Sequence, residues 1–328
     1  MCHEEIEHRK LAAGGRNAVE AGRTAICLVG AARRFELTGP SIVRNVLAQY
    51  PQADLFLSPM GIQGLLQYFN LVQGCMDLIK SHESRENFTY DWIVRTRVDG
   101  FWAGPLEPSS FIPNTYVIPE GSRHGGLNDS LGIGKRDISA MALSRLSTPD
   151  NLVAAGYSGL NSETAFLTQM KLGQVSTQEH SFQFCIMSDR RYSFPPSQYT
   201  TPVASLDIHG PLNGAKCRPC RDPYVGQEAD EIWAKLDTNR GWVEWRNGAL
   251  GLCNATSEWE KDWGEVFDVM VGPIAAAERK RVAAMSVEEC VSDLGVFMGK
   301  TAQWKSPDPV HICQLGLAKR TIVQSISS

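Results

Sequence analysis

Residues 90–102 read Tyr-Asp-Trp-Ile-Val-Arg-Thr-Arg-Val-Asp-Gly-Phe-Trp. Because successive side chains of a β-strand point to opposite faces, Arg95, Arg97 and Asp99 share one face of the predicted strand. Gly100 follows the acid directly, so these charges lie towards the carboxyl end of the strand. Open α/β sheets bind ligands at that end, and the stretch therefore predicts a site for a small anionic molecule. The alternative is an arginine–aspartate pair that only joins neighbouring strands.

The residues before this strand alternate between two patterns. Continuous apolar runs at 24–30 and 53–57 predict buried strands, and apolar residues at helical spacing predict a helix after each of them. This alternation predicts an α/β fold with a mainly parallel sheet and flanking helices. No G-x-G-x-x-G pattern occurs, which disfavours a dinucleotide-binding domain.

Composition divides the chain into three parts. Residues 1–22 are polar and rich in alanine and glycine, which predicts a disordered segment. Residues 23–199 carry the strand and helix pattern of the α/β core. Residues 200–328 are rich in cysteine and tryptophan and predict a mostly helical region packed on that core.

Net charge and hydropathy limit the classes of partner that we expect the chain to bind. The net charge is −4 over 328 residues, and no long run of lysine and arginine occurs. We therefore expect no nucleic-acid partner. No segment approaches the ~18 apolar residues of a membrane span, so we expect no membrane contact.

The nine cysteines leave the redox compartment open. Cys27 and Cys75 lie in apolar segments and are predicted to be packed thiols. Residues 200–328 contain five cysteines, which predicts a disulfide-stapled C-terminal region: Cys217, Cys220, Cys253, Cys290 and Cys313. For the C-x-x-C pair at 217–220, disulfides, unlinked thiols and zinc all remain open.

Two further features have alternative interpretations. Acceptor patterns for N-glycosylation begin at Asn87, Asn128 and Asn254, and they matter only in a secreted protein. Six tryptophans in the C-terminal region predict either a sugar platform or helix faces buried in a core: Trp233, Trp242, Trp245, Trp259, Trp263 and Trp304.

Arginines at the carboxyl ends of two predicted strands suit a diphosphate. Arg33 or Arg34 after the first strand, together with Arg95 or Arg97, can grip phosphate oxygens in bidentate fashion. Asp99 would then hold a divalent cation, Mn²⁺ or Mg²⁺, between them. This is the chemistry of sugar-nucleotide use.

A glycine-rich loop at 121–130 predicts close approach of the backbone to a ligand, with Gly125 and Gly126 as the candidate contacts. Glycosyl transfer with inversion needs a base near the acceptor, and His124, Asp129 and Glu163 are the candidates by position. Glu163 has a second interpretation, because acids in the first turn of a helix also interact with the helix dipole.

Four stretches together carry a family resemblance: residues 25–41, residues 90–100, Gly-Gly-Leu-Asn-Asp-Ser-Leu-Gly at 125–132 and Gly-Ala-Lys-Cys-Arg-Pro-Cys at 214–220. From Arg23 onward the chain resembles an uncharacterised plant family with a GT-A-like, nucleotide-diphospho-sugar transferase fold. The resemblance implies a glycosyltransferase that uses a nucleotide sugar and an unknown acceptor. It also implies a Golgi or secretory location through an anchor absent from this sequence; a chain complete as written would be cytoplasmic.

The sequence departs from that family in two places. Arg97 stands where the first acid of the usual D-x-D metal motif would be, and Asp99 takes the place of the second. Only Ser58-Pro59-Met60 stands where family members carry an additional stretch that holds the nucleotide base. These departures favour an alternative function, a catalytically silent module that binds a glycan or a protein in the same cleft.

Overall fold

A computed structural model describes residues 22–30, 34–58, 64–159, 161–198, 200–207, 210–221, 223–236, 251–299 and 308–314. The predicted disordered segment, apart from Gly22, lies outside these residues, as do Arg33, the short link at 59–63 and three of the tryptophans named above, Trp242, Trp245 and Trp304.

The main sheet has the strand order β2-β1-β3-β6-β5-β7. The strands β1, β2, β3, β5 and β7 run in one direction, and β6 runs against its neighbours β3 and β5. The prediction of an α/β fold is confirmed, and the sheet is mixed, with three parallel and two antiparallel strand pairings. The strands are β1 (Thr24–Val29), β2 (Asp54–Ser58), β3 (Trp92–Arg97), β5 (Tyr116–Pro119), β6 (Leu131–Lys135) and β7 (Thr177–His180).

Both faces of this sheet are buried around β1, which explains the continuous apolar run of that strand. On one face Cys27 and Ile93 pack with α2, α3 and α5. On the other face Ile26 and Val94 pack with α1. The helices are α1 (Phe35–Asn45), α2 (Leu65–Glu86), α3 (Arg136–Leu143), α4 (Pro149–Ala154), α5 (Ser162–Leu172), α6 (Gln227–Trp233), α7 (Trp263–Ala284) and α8 (Val287–Gly299).

The predicted strand at 90–99 is shorter in the structure. It ends at Arg97, and Val98 and Asp99 form a turn before the chain enters a different sheet at Gly100. The backbone N–H of Val98 still donates to the carbonyl of Val29, so the turn stays attached to β1. Asp99 therefore lies in the turn just past the observed carboxyl end of β3, where the sequence had predicted the last residue of the strand.

A second, four-stranded sheet has the order β4-β8-β10-β9. Its strands are β4 (Gly100–Trp102), β8 (Phe184–Met187), β9 (Val203–Ser205) and β10 (Lys216–Arg218). The boundary expected at residue 199 passes through this sheet, because β4 and β8 precede it and β9 and β10 follow it. A helical C-terminal region is present as expected, and Phe267 of α7 packs against Phe101 and Cys217 of this sheet.

Four disulfides join eight of the nine cysteines: Cys27–Cys75, Cys185–Cys217, Cys220–Cys253 and Cys290–Cys313. The stapled C-terminal region is thus confirmed. The prediction of packed thiols was wrong for Cys27 and Cys75, because helix α2 crosses β1 and brings the two buried side chains together. Among the described residues, no helix is both long and apolar enough to cross a bilayer.

Candidate active site

A small cleft of about 60 Å³ opens at the carboxyl edge of the main sheet, between it and the second sheet. The end of β3 contributes to the cleft. The loop from β5 to β6 also contributes, because β5 ends at this edge and the antiparallel strand β6 begins there. Its lining is predominantly polar: Arg97, Ser122, His124, Asn128, Asp129, Ser130, Glu163, Ile186, Thr201, Pro202, Gly214, Ala215, Lys216 and Trp233. Four predicted site residues, Arg97, His124, Asp129 and Glu163, thus meet in one cleft.

Arg97 and Asp99 form a bidentate pair. Nε of Arg97 donates to Oδ1 of Asp99 at 2.8 Å, and Nη2 donates to Oδ2 at 2.8 Å. The Asp99 side chain is 3% exposed and that of Arg97 is 22% exposed. Burial opposes the charge on Arg97, but the Asp99 carboxylate outweighs burial and raises the pKa of the guanidinium. Arg97 is therefore held as a cation whose outer part lines the cleft.

Arg95 has a different role from Arg97, although both lie on the same face of β3. Its side chain is buried; Nη1 donates to the hydroxyl of Tyr68 at 2.9 Å, and Nη2 donates to the carbonyl of Asp129. Arg95 therefore anchors the β5–β6 loop from beneath.

Arg34 lies between α1 and the C-terminal region. Its Nε donates to Oδ1 of Asp189 at 2.7 Å, and its guanidinium carbon lies 4.1 Å from the ring centroid of Trp259 and 4.9 Å from that of Trp263. Arg34 is not among the residues that line the cleft. The two indole rings are 5.4 Å apart and pack against the second sheet's core, so these tryptophans are packing residues.

The glycine-rich loop packs on the start of α5. A Cβ at Gly126 would overlap the carbonyl group of Glu163, so only glycine permits this approach. The N–H of Leu127 donates to that same carbonyl at 3.1 Å. Gly125 and Gly126 do not line the cleft; the small size of Gly126 lets the loop that contains Asp129 pack against Glu163.

Asp129 is a buried anion. Its Oδ2 accepts a hydrogen bond from the hydroxyl of Ser162 and lies 3.8 Å from Nη1 of Arg145. Burial alone would raise the pKa of this carboxyl, but the guanidiniums of Arg145 and Arg95 outweigh burial and hold the pKa below its ordinary value. Asp129 is therefore charged near neutral pH.

Glu163 has the opposite environment. Burial, followed by repulsion from the charged Asp129, raises the pKa of the Glu163 carboxyl to about 7. Helix α5 is capped by its neighbours, because Oδ1 of Asn161 accepts from the N–H of Thr164 at 2.8 Å and Oγ1 of Thr164 accepts from the N–H of Asn161 at 2.9 Å. The Glu163 side chain is therefore not needed for capping and lines the cleft.

Lys216 is a site residue that the sequence patterns did not predict. It begins β10 and lines the cleft opposite the β5–β6 loop. Burial, followed by repulsion from Arg97, lowers the pKa of its ammonium to about 8. Its position one residue before Cys217, in one of the stretches that carry the family resemblance, is the signal in the sequence. Trp233, at the end of α6, also lines the cleft.

The residues around Asp99 do not fit a divalent cation. Both carboxylate oxygens accept hydrogen bonds from Arg97, and the side chain is nearly fully buried. Within the described part of the chain, no three acidic, histidine or cysteine side chains cluster to ligate a metal. The cleft instead contains two cations, Arg97 and Lys216.

Comparison with known proteins assigns the chain to a protein family. The family model of a domain of unknown function, DUF7796, matches residues 19–58 and 57–319. No curated protein shows significant similarity to the chain. Since the matched residues cover most of the sequence, the chain belongs to the DUF7796 family.

Proposed function

We propose that this protein is a glycosyltransferase that transfers a sugar from a nucleoside-diphosphate donor to a hydroxyl acceptor. One observation carries the proposal: a cleft at the carboxyl edge of a mainly parallel sheet joins two cations to a carboxylate that titrates near neutral pH. The sheet with helices on both faces fits the GT-A-like fold that the sequence motifs imply.

Arg97 and Lys216 are the proposed diphosphate-binding residues. Asp99 occupies Nε and Nη2 of Arg97, and in the described part of the chain no hydrogen bond uses Nη1. Asp99 therefore orients Arg97 as a positioning residue, and Nη1 is available to a phosphate oxygen. Lys216 adds a second positive charge in the same cleft. Together they would stabilise the negative charge that develops on the departing nucleoside diphosphate.

Glu163 is the proposed general base. Its pKa of about 7 matches the operating pH of a group that must accept a proton from an acceptor hydroxyl. Asp129 is a fixed anion whose charge raises the pKa of Glu163, so the two carboxylates have separate roles. His124, from the same loop, lines the same cleft and is the proposed contact to the acceptor.

Metal ions take no part in this scheme. The family resemblance implies Mn²⁺ or Mg²⁺ at Asp99, but Arg97 occupies the carboxylate. We expect the two cations to perform the charge neutralisation that a metal performs in related folds. The four disulfides favour a secretory compartment for this enzyme.

A thermal-shift panel tests the proposal. Nucleoside diphosphates and sugar nucleotides are added to the protein with EDTA or with Mn²⁺, and a ligand that binds only the folded state raises Tm. We expect at least one nucleotide to raise Tm equally in both conditions and Lys216→Ala to abolish the shift. Lys171→Ala, an exposed lysine on α5 outside the cleft, is the matched control and should behave as wild type.

The same panel distinguishes the alternative function. The two departures from the family pattern favour a silent module that binds a glycan or a protein. A flat response to every nucleotide, or nucleotide binding without release of nucleoside diphosphate in the presence of mixed acceptors, would favour that module over the enzyme.

A further inference from the structure

The three N-glycosylation acceptor patterns differ in their surroundings. Asn87 and Asn254 are exposed, whereas Asn128 is 2% exposed. The hydroxyl residues of the first two patterns, Thr89 and Thr256, are exposed as well. Since a glycan is large and hydrophilic, it must project into water from the folded chain. Only the first two patterns meet this condition.

Asn87 ends α2. Its backbone is left-handed, with φ of 52°, and its N–H donates to the carbonyl of Glu83. No hydrogen bond among the described residues uses its side-chain amide. Asn87 and Thr89 border a surface depression beyond the helix end, so the amide and the hydroxyl are accessible together.

Asn254 lies in a turn stabilised by its own pattern. Oδ1 of Asn254 accepts from Oγ1 of Thr256 at 2.8 Å and from its backbone N–H at 3.2 Å. The backbone carbonyl of Asn254 accepts from Arg218 at 2.7 Å, and the neighbouring Cys253 is bonded to Cys220. The turn is therefore held from the interior while the side chain faces solvent.

The side-chain amide of Asn128 is buried and hydrogen-bonded within the fold. Its Nδ2 donates to the carbonyl of Asn213 at 2.8 Å, and its Oδ1 accepts from the N–H of Ser130 at 3.1 Å and from its hydroxyl at 2.6 Å. Asn128 also lines the cleft, which neither Asn87 nor Asn254 does. A glycan there would break these bonds and fill the cleft.

We infer that Asn87 and Asn254 are N-glycosylation sites and that Asn128 stays unmodified. The amide nitrogen of each asparagine bonds to the anomeric carbon of an oligosaccharide held on a lipid diphosphate. The bond from that carbon to the diphosphate breaks, the lipid diphosphate leaves, and the amide proton passes to a base of the host transferase. The inference rests on exposure and on the four disulfides, which indicate a secretory route, and is independent of the proposed enzymatic function.

The test uses the full chain, secreted from a eukaryotic host behind a heterologous signal. Peptide mass mapping after enzymatic release of glycans marks each occupied asparagine as aspartate, and mapping without reduction confirms the disulfides. We expect two occupied sites. Thr89→Ala and Thr256→Ala should each remove one glycan, whereas the matched Thr89→Ser and Thr256→Ser should retain it. These substitutions leave the asparagines in place, including the helix-ending Asn87.

Two results would overturn the inference. One is a bare Asn87 or Asn254 in protein whose disulfides have formed, which removes that site. The other is a glycan on Asn128 in folded, secreted protein, because exposure in the folded state would then not determine which pattern is used.

Discussion

Substitution of Asp99 by asparagine separates two roles for the carboxylate. As a metal ligand, Asp99 would be needed for Mn²⁺-dependent nucleotide binding and would contribute little to stability. As the partner of Arg97, it stabilises the fold and orients a guanidinium towards the cleft. The bidentate geometry favours the second role.

The magnitude follows from burial. Removing one partner of a buried ion pair costs about 3–5 kcal/mol. The Arg97 side chain is 22% exposed and can recover part of its hydration, so we expect the lower end, about 3 kcal/mol. In a chain of 328 residues, 1 kcal/mol lowers Tm by about 1.5–2 °C, and Asp99→Asn should lower Tm by roughly 4–6 °C.

Titration calorimetry measures how the same substitutions change the affinity for a nucleotide. Asp99→Asn keeps the charge of Arg97 but removes the pairing that orients its guanidinium, so affinity for a nucleoside diphosphate in EDTA should fall, by less than in Arg97→Ala. Arg97→Ala should weaken it by roughly ten- to a hundredfold, because a charged hydrogen bond is worth about 1.5–3 kcal/mol. The matched control is Asp262→Asn, which removes a similar bidentate pair with Arg221 at an exposed site and should leave Tm almost unchanged.

An unchanged Tm in Asp99→Asn, together with loss of Mn²⁺-dependent binding, would refute this reasoning. Asp99 would then be a metal ligand, as the family resemblance implies, and the pairing with Arg97 would not contribute to stability.

Four further predictions concern the cleft. Folded Glu163 keeps its proton up to about pH 7 and the unfolded chain releases it near 4.5, so stability measured by urea unfolding should fall as pH rises between these values and Glu163→Gln should flatten the fall. Transferase activity should rise through pH 7 in wild type and drop about 100-fold in Glu163→Gln, with the exposed Glu258→Gln as control. Since the Lys216 pKa is lowered to about 8, nucleotide affinity measured by calorimetry should decrease as pH rises through 8, and Lys216→Arg should remove that decrease. The Cys185–Cys217 bridge closes a 32-residue separation beside Lys216, and replacing both by serine should cost about 3.5 kcal/mol in denaturant melts; an unchanged midpoint would contradict this.

Local sequence determined the strands and the face on which Arg95, Arg97 and Asp99 lie. Alternation along a strand is a local property, so the pattern of residues 90–102 was sufficient to place the three charges near a sheet edge. The apolar run at 24–30 was equally sufficient to predict a strand covered on both faces, and β1 is buried throughout.

The tertiary structure decided which of these charges face a ligand. Arg95 and Arg97 are equivalent by alternation, but Arg95 meets the carbonyl of Asp129 beneath the loop, whereas Arg97 reaches the cleft. The position of Lys216 in the cleft depends on the pairing of β10 with β8. The bond between Cys27 and Cys75 likewise depends on α2 crossing β1. Sequence patterns record which face a side chain occupies. Pairing between distant segments determines which side chains meet and how deeply each one is buried. Burial and neighbouring charges together set the pKa values of Glu163 and Lys216, on which the proposed chemistry depends.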